Sequence, residues 1–486
     1  MRILYIDIDT LRPDHMGCYG YKRNTTPNID SIADIKFTNY YCADAPCLPS
    51  RASLISGMFG IRHGAVGHGG TCADRRPLGP ARGFSDKYDW ENLHNLFKRA
   101  GMKTASISSF PARHSSWWYN AGLDECYDPG GHGMESGERV LPIALDWLDR
   151  NGSSDNWYLH VHFWDPHTPY RAPASFGEPF ADVPLDTWID EKILQKHLQK
   201  TGPHGAWEIN MYNDDESPCF PRHPGKVTDM KALKKLFDGY DTGILYTDYL
   251  AGKIFDSLRE KNIFDDTVII ISSDHGENLG ELGIYAEHAT ADHPTCRIPM
   301  IIKFPGGAKG ITDNTLHYNI DLLPTLAELL SVDLCEQWDG KSYAQTVKTG
   351  VKSGWDSLVL SQMAHVCQRS ARFEDWLYIR TIHDGFHLFE KEMLFNITTD
   401  PHQTHDIKLE HPQICQKGAK IILDWQEEMM MKSAYTEDPM WRVMRENGPH
   451  HAKPENLTDL RYLERLEATG RSEGAKILRK RKYPRM

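Results

Sequence analysis

The sequence predicts an α/β protein: a large, mostly parallel mixed sheet flanked by helices, followed by a smaller α+β part built on an antiparallel sheet. Three observations carry this. Short apolar, β-branched runs alternate with helical segments up to about residue 355, the pattern of strands joined by crossover helices. Several of those runs stop abruptly at acids and histidines, as strands do where they feed loops. Beyond residue 355 the pattern changes to short alternating segments, the period of strands with two unlike faces.

Taken in order, residues 3–9 (ILYIDID) read as a buried strand that stops at Thr10. A helical pattern covers Asn28 to Ala33, and Phe37 to Cys42 is extended. Ser50 to Ser56 reads as a helix start, with Pro49 beside a serine at the cap. Residues 91–100 form an amphipathic helix and 103–109 a strand. Residues 138–149 are helical and 157–164 (WYLHVHFW) a strand. A polar insertion spans 175–230, and 230–260 are helical. TVIIISS at 267–273 and PMIIKF at 299–304 are strands. Segments 357–363, 376–382 and 392–397 suggest the antiparallel sheet, and a helix follows near 413–431. The basic end, Arg479 to Arg485, reads as a solvated terminal helix. The division expected is a catalytic domain over 1–355 and a smaller subdomain over 356–486.

Composition narrows the function. The 486 residues carry a formal net charge of −12 with 40% hydrophobic residues. An acidic chain is poorly suited to wrap nucleic acid phosphates. No run approaches the ~18 uninterrupted apolar residues of a membrane helix. The N-terminus shows no apolar leader segment, so a cytoplasmic location is expected, with no membrane partner. Ten scattered cysteines form no CxxC or zinc spacing, which reads as reduced, buried thiols.

Ligands of open α/β sheets collect at the carboxyl ends of strands. Three strand ends carry polar clusters here: Asp7, Asp9 and Thr10; Asp274, His275 and Glu277; and Asp165 and His167. Converging carboxylates from separate elements are a usual way to hold a divalent cation. A fourth feature is Cys47-Leu48-Pro49-Ser50-Arg51, running into Ala52-Ser53-Leu54-Ile55-Ser56-Gly57. This Cys-x-Pro-Ser-Arg segment resembles the signature of the formylglycine-dependent sulfatases of the alkaline phosphatase superfamily. The resemblance extends to Asp9 with Leu11-Arg12-Pro13, Trp164 to His167, Ser273 to Glu277, Asp321 to Leu326 and Phe395 to Pro401. It covers about 1–430, outside the insertion and the tail.

The resemblance implies an alkaline phosphatase-like fold and a sulfuric ester hydrolase. It implies that Cys47 is oxidised to formylglycine by a separate maturation enzyme. The hydrated aldehyde would offer one oxygen to attack sulfur and a second to expel sulfate. Asp9, Thr10, Cys47, Asp274 and His275 are the implied metal ligands. Their oxygen-rich set suits Ca²⁺ first, with Mg²⁺ or Mn²⁺ also compatible. Thr10 stands where many relatives carry a second acid, and Asp7 is either a support for the site or a solvated or paired strand residue. Arg51, one helical turn past Cys47, is implied to contact the nucleophile and a sulfate oxygen. His167 is the expected donor to the leaving oxygen, since histidine titrates near neutrality. Arg113 and His114 take the place of a Lys–His pair, and Glu287 that of a lysine. His288 is then left to contact sulfate, and Glu287 to face sugar hydroxyls. Tryptophans, Trp117 and Trp118 among them, fit sugar stacking. The expected substrate is a small sulfated saccharide. Two rivals remain: a phosphonate monoester or phosphodiester hydrolase of the same superfamily, and an unmodified glycan-binding protein.

Overall fold

A computed structural model describes residues 1–75, 90–185, 187–449 and 460–481. Fifteen strands run through it: β1 (Arg2–Ile8), β2 (Ile35–Tyr41), β3 (Asp44–Ala45), β4 (Lys103–Ile107), β5 (Glu125–Tyr127), β6 (Trp157–Phe163), β7 (Thr267–Ser272), β8 (Asn278–Leu279), β9 (Tyr285–Glu287), β10 (Met300–Lys303), β11 (Ile311–Tyr318), β12 (Ser357–Gln362), β13 (Cys367–Phe373), β14 (Trp376–His383) and β15 (Glu392–Asn396).

Eight of these form one sheet in the order β11-β2-β10-β7-β1-β6-β4-β5. The run from β7 to β5 is parallel throughout. β10 runs antiparallel to both of its neighbours, β2 and β7, which makes the sheet mixed. β1 lies between β6 and β7, with Leu4, Ile6 and Ile8 facing one apolar layer and Ile3 and Tyr5 the other. A strand covered on both faces reads as a nearly continuous apolar run, and that is why residues 3–8 were visible in the sequence.

The long helix Met230–Glu260 covers one face. It also holds the loop beyond β1: the Tyr240 hydroxyl donates to the Thr10 carbonyl at 2.6 Å and accepts from the Arg12 amide at 3.1 Å. Thr10 itself sits at φ +57°, a left-handed conformation that a β-branched residue rarely adopts.

The second sheet has the order β15-β14-β13-β12-β3. Its far edge, β3, belongs to the N-terminal part of the chain and pairs parallel with β12. Both sheets therefore anchor the segment that leads into Cys47. β13 was missing from the sequence reading, because its Gln, Arg and Ser residues break any apolar period. All seven of its residues are nonetheless buried.

The helix that carries Cys47 begins earlier than Ser50: it spans Cys47–Ser56 and ends at Gly57, φ +66°. Pro49 falls in the first turn, where its missing N–H has no intrahelical partner to lose. Arg479 and Lys480, the start of the basic end, close a helix and are exposed. The helices before it, Leu460–Ala468 and the first part of Ser472–Lys480, bury Tyr462, Leu466 and Ala475 against Phe386. Most of their charged residues are exposed, while Arg465 turns inward to Glu208, so the composition of the segment concealed its packing. Residues 482–485 of that basic stretch lie outside the described residues. Of the ten cysteines, all unpaired, Cys126 and Cys219 are exposed, while Cys42, Cys47, Cys72, Cys296 and Cys367 are buried. Among the described residues no helix is long and apolar enough to cross a membrane.

Candidate active site

Parallel strands β1, β6, β7 and β4 end side by side, and their loops bring the polar clusters together. Asp9 follows β1, with its amide donating to the Phe163 carbonyl at 2.9 Å. Asp274 and His275 follow β7. The Cys47 helix is drawn to the same place by Ser50, whose hydroxyl donates to the Asp274 carbonyl at 2.6 Å. Asn319 in turn donates to the Ser50 carbonyl at 3.2 Å.

Asp9, Cys47, Asp274 and His275 are all buried, and each offers a ligand atom within 4.8 Å of the others. Cys47 Sγ lies 3.0 Å from His275 Nε2. The opposite nitrogen, Nδ1, pairs with the Gly276 carbonyl at 2.8 Å. A carbonyl only accepts, so Nδ1 carries a proton, and in the neutral ring Nε2 offers a lone pair inward. Asp9 Oδ1, Thr10 Oγ1 and Asp274 Oδ2 are buried and take part in no hydrogen bond. Unsatisfied buried oxygens are costly, and two carboxylates facing one another raise that cost further. Burial, then the nearby Asp274 charge, pushes the Asp9 carboxyl well up. Burial also opposes ionisation of Asp274, but the Arg51 guanidinium and His275 outweigh it and hold that carboxyl down. Three unsatisfied oxygens, a thiol and an imidazole lone pair form a donor set that fits a divalent cation.

Arg51 lies beneath these groups, fully buried. One arm pairs with Asp7. The other lies 3.0 Å from Asp9 Oδ2 and 3.1 Å from Asp274 Oδ2, the latter off hydrogen-bond geometry. It also donates to His162 Nε2 at 2.8 Å. Guanidinium only donates, so His162 carries its proton on Nδ1, which donates to Ser108 Oγ at 2.8 Å. Asp7 is thus a paired residue that steadies Arg51 from behind. Burial and then the Arg51 charge keep His162 neutral, far below its usual range.

Above this floor stands a ring of imidazoles. The His275 and His288 ring centres are 4.3 Å apart, His288 and His167 5.3 Å, His288 and His365 5.4 Å, and His68 and His114 5.1 Å. His68 Nε2 also accepts from the Leu48 amide at 3.4 Å, in the first turn of the Cys47 helix. Arg113 is exposed at the mouth, its guanidinium 5.2 Å from the Trp164 ring centre. Arg171, buried below it, donates to the His167 carbonyl at 3.1 Å.

The histidines do not sit near their ordinary range. Burial, then Arg113 and Arg171, holds His167 well down. Burial, then the neighbouring histidines led by His275, does the same to His288. Burial with Arg113 lowers His114 to about 3. The expectation of rings poised near neutrality is therefore corrected for the protein alone. An anion bound among them would favour their protonated forms.

Glu287 is 7% exposed and engaged by histidines, with His288 Nε2 at 3.0 Å and His204 Nε2 at 3.3 Å. Trp118 is packed in a small apolar cluster with Cys47, Leu48 and Phe110, so it presents no stacking face; Trp117 is exposed.

The structure thus gathers Asp9, Cys47, Arg51, Asp274 and His275 with Thr10 on the floor, and His114, Arg113, His167, Glu287 and His288 around it. Sequence reasoning missed His162, Arg171, His68 and His365. A signal existed for His162: in WYLHVHFW the histidines alternate with apolar residues, and β6 pairs His162 with Asp7. The other three sit in loops and have no local signal.

Residues 2–332 match the Sulfatase family. The chain belongs to that family. An arylsulfatase of Clostridium perfringens is 24% identical over 457 residues, covering 82% of this chain and 88% of its own. Among solved structures, an enzyme in complex with its substrate D-glucosamine-2-N,6-O-disulfate superposes with a TM-score of 0.69. It is 17% identical and covers 90% of this chain and 99% of its own. The phosphonate monoester hydrolase of Agrobacterium radiobacter gives a TM-score of 0.68 at 17% identity, covering 90% and 97%. The sulfatase chain accordingly has the alkaline phosphatase-like fold, and it is a sulfuric ester hydrolase.

Proposed function

We propose that this sulfatase hydrolyses a sulfate ester on a saccharide, using formylglycine derived from Cys47 and a divalent cation, Ca²⁺ in first place. The observation that carries the reading is the buried donor set around Cys47, with three oxygens left without hydrogen bonds. Asp9, Cys47, Asp274 and His275 would hold the cation, with Thr10 alongside. A cation there supplies positive charge that favours the ionised nucleophile and offsets charge growing on the sulfuryl oxygens. Formylglycine, once hydrated, would supply two hydroxyls on one carbon, so that one can attack sulfur while the other re-forms the aldehyde and releases sulfate.

The chain's own residues do the rest. Arg51 keeps Asp9 and Asp274 apart and adds a fixed positive charge beneath them. Arg113, exposed at the mouth, attracts the anionic ester. An alkyl alcohol leaving a sugar is far less acidic than a phenol at ~10, so its oxygen needs a proton in the transition state. His167 and His288 face the space above Cys47, and an incoming sulfate ester favours the protonated form each needs. His167 Nδ1 is committed to the Thr168 carbonyl, which leaves Nε2 to donate. The similarity to a structure holding a disulfated glucosamine supports an amino-sugar sulfate as the first substrate to try.

A second reading, phosphonate monoester or phosphodiester hydrolysis, is favoured by the similarity to a phosphonate monoester hydrolase and by the neutral Thr10. The deciding experiment compares kcat/KM on a sulfate monoester with that on a phenyl phosphonate monoester, using protein whose Cys47 modification has been checked by peptide mass. Higher kcat/KM on the sulfate supports the first reading, and higher kcat/KM on the phosphonate supports the second.

A further inference from the structure

A second group of metal-type donors lies beside the first. Glu287, His288 and His365 are all buried and offer ligand atoms within 4.8 Å of one another. They come from three places: the end of β9, the loop after it, and the turn between β12 and β13. One residue ties two of these places together. The Gln362 side-chain amide donates to the His288 carbonyl at 2.8 Å. Its oxygen accepts from the Ala364 amide at 2.6 Å and the His365 amide at 3.2 Å. The backbones that carry both histidines are therefore fixed to a fully buried side chain before any ligand arrives.

The spacing is informative. Glu287 Oε1 lies 3.0 Å from His288 Nε2 and 3.7 Å from His365 Nε2. Zinc bonds of about 2.0–2.1 Å at tetrahedral angles set ligand atoms about 3.3 Å apart. The other carboxylate oxygen faces His204 Nε2 at 3.3 Å, an outer partner that orients the ligating group. His204 arrives from the 175–230 insertion in a left-handed conformation, φ +55°. Its backbone carbonyl accepts from the Tyr285 amide at 2.8 Å, which fixes it to β9. Two imidazoles and one carboxylate with an open position match the borderline-soft preference of zinc. The oxygen-rich group around Asp9 suits harder cations.

We propose that Glu287, His288 and His365 form a second cation site, one that takes Zn²⁺ while Ca²⁺ is held at the Asp9–Asp274 group. The proposal does not depend on the sulfate-ester reading, because it is a statement about ion binding. A Zn²⁺ there engages His288, so the ion and a substrate compete for that ring.

The test is a calorimetric Zn²⁺ titration of the full chain in excess Ca²⁺, with Co²⁺ absorption as a report on the ligand field. Wild type should bind one Zn²⁺ per chain. His365→Ala and Glu287→Gln should each weaken it more than ~100-fold, beyond the ~10–100-fold typical of losing an outer partner. Asp274→Asn should leave Zn²⁺ affinity within a few-fold of wild type. Melting curves of the metal-free variants establish that each is folded. Absence of Zn²⁺ binding in wild type would overturn the proposal. So would binding that survives both His365→Ala and Glu287→Gln, or binding lost only in Asp274→Asn. Failure of the sulfatase reading would appear separately, as no turnover with Ca²⁺ alone.

Discussion

Two clusters of buried charge can be set side by side: the floor around Cys47, and the junction where the last two helices meet residues 200–208. At the junction Glu208 is fully buried. Its oxygens accept from Arg465 Nε at 2.9 Å and from Arg471 Nη1 at 2.9 Å, with Arg471 Nη2 closer still. Arg471 also donates to the Lys200 carbonyl at 3.0 Å, and the Tyr462 hydroxyl accepts from the Gly202 amide at 2.7 Å. Neither Glu208 oxygen lacks a partner. On the floor Asp7, Asp9 and Asp274 face Arg51, and one oxygen of each has no hydrogen bond, nor has Thr10 Oγ1. Both clusters bury ions, but only the junction satisfies them. A satisfied cluster holds parts of a chain together. One left short of cations lowers stability and is retained where binding or chemistry requires it.

The contrast can be broken most sharply at Cys47. Cys47→Ala should reduce sulfate-ester turnover to background, measured as released sulfate, while its melting temperature stays near that of wild type. A nucleophile is lost, but little core volume. Asp9→Asn and Asp274→Asn come next. Each removes a charged ligand, so activity should fall more than ~100-fold and divalent occupancy should drop by elemental analysis. Asp9→Asn also relieves carboxylate crowding, so without metal it should melt no lower than metal-free wild type, whereas Asp274→Asn removes a charge that Arg51 favours and should melt lower.

The leaving group gives a smaller effect. General acids contribute ~10²–10⁴-fold. His167→Ala or His288→Ala should therefore cost a large part of that range on a sugar sulfate, and much less on an aryl sulfate whose phenol leaves unaided. Equal losses on both substrates would mean that the rings only grip sulfate. At the junction the signs reverse. Arg471→Ala leaves Glu208 with one arginine and should cost about 3 kcal/mol of stability, the low end for breaking a buried pair. Denaturant unfolding measures that loss, and kcat at low temperature should stay within about twofold.

The two clusters also differ in how legible they were. Asp9, Asp274 and His275 stand at the ends of apolar strands, and Cys47 to Arg51 form a compact motif, so one sequence displayed them. His68 and His365 reach the same space only through loop packing between distant segments, which no local pattern encodes. The junction was missed for a related reason. Arg465, Arg471 and Glu208 look like surface charge in a polar sequence, and only long-range pairing makes them interior. In β13, Arg369 pairs with Asp438 at 2.6 Å, Arg372 donates to the Tyr41 hydroxyl at 3.2 Å, and Gln368 accepts from the Ala291 amide at 3.1 Å. A strand buried on both faces by partnered polar groups has no apolar period to read.

The most direct test of the role of Cys47 is release of inorganic sulfate from a 6-O-sulfated glucosamine by wild type and by Cys47→Ala, prepared in parallel with Ca²⁺. Peptide mass spectrometry would first establish that Cys47 in the wild type carries the aldehyde. A nucleophile derived from Cys47 predicts multiple turnovers by wild type and background release by the variant. Equal release by the two proteins would contradict it, because the reaction would then not depend on Cys47.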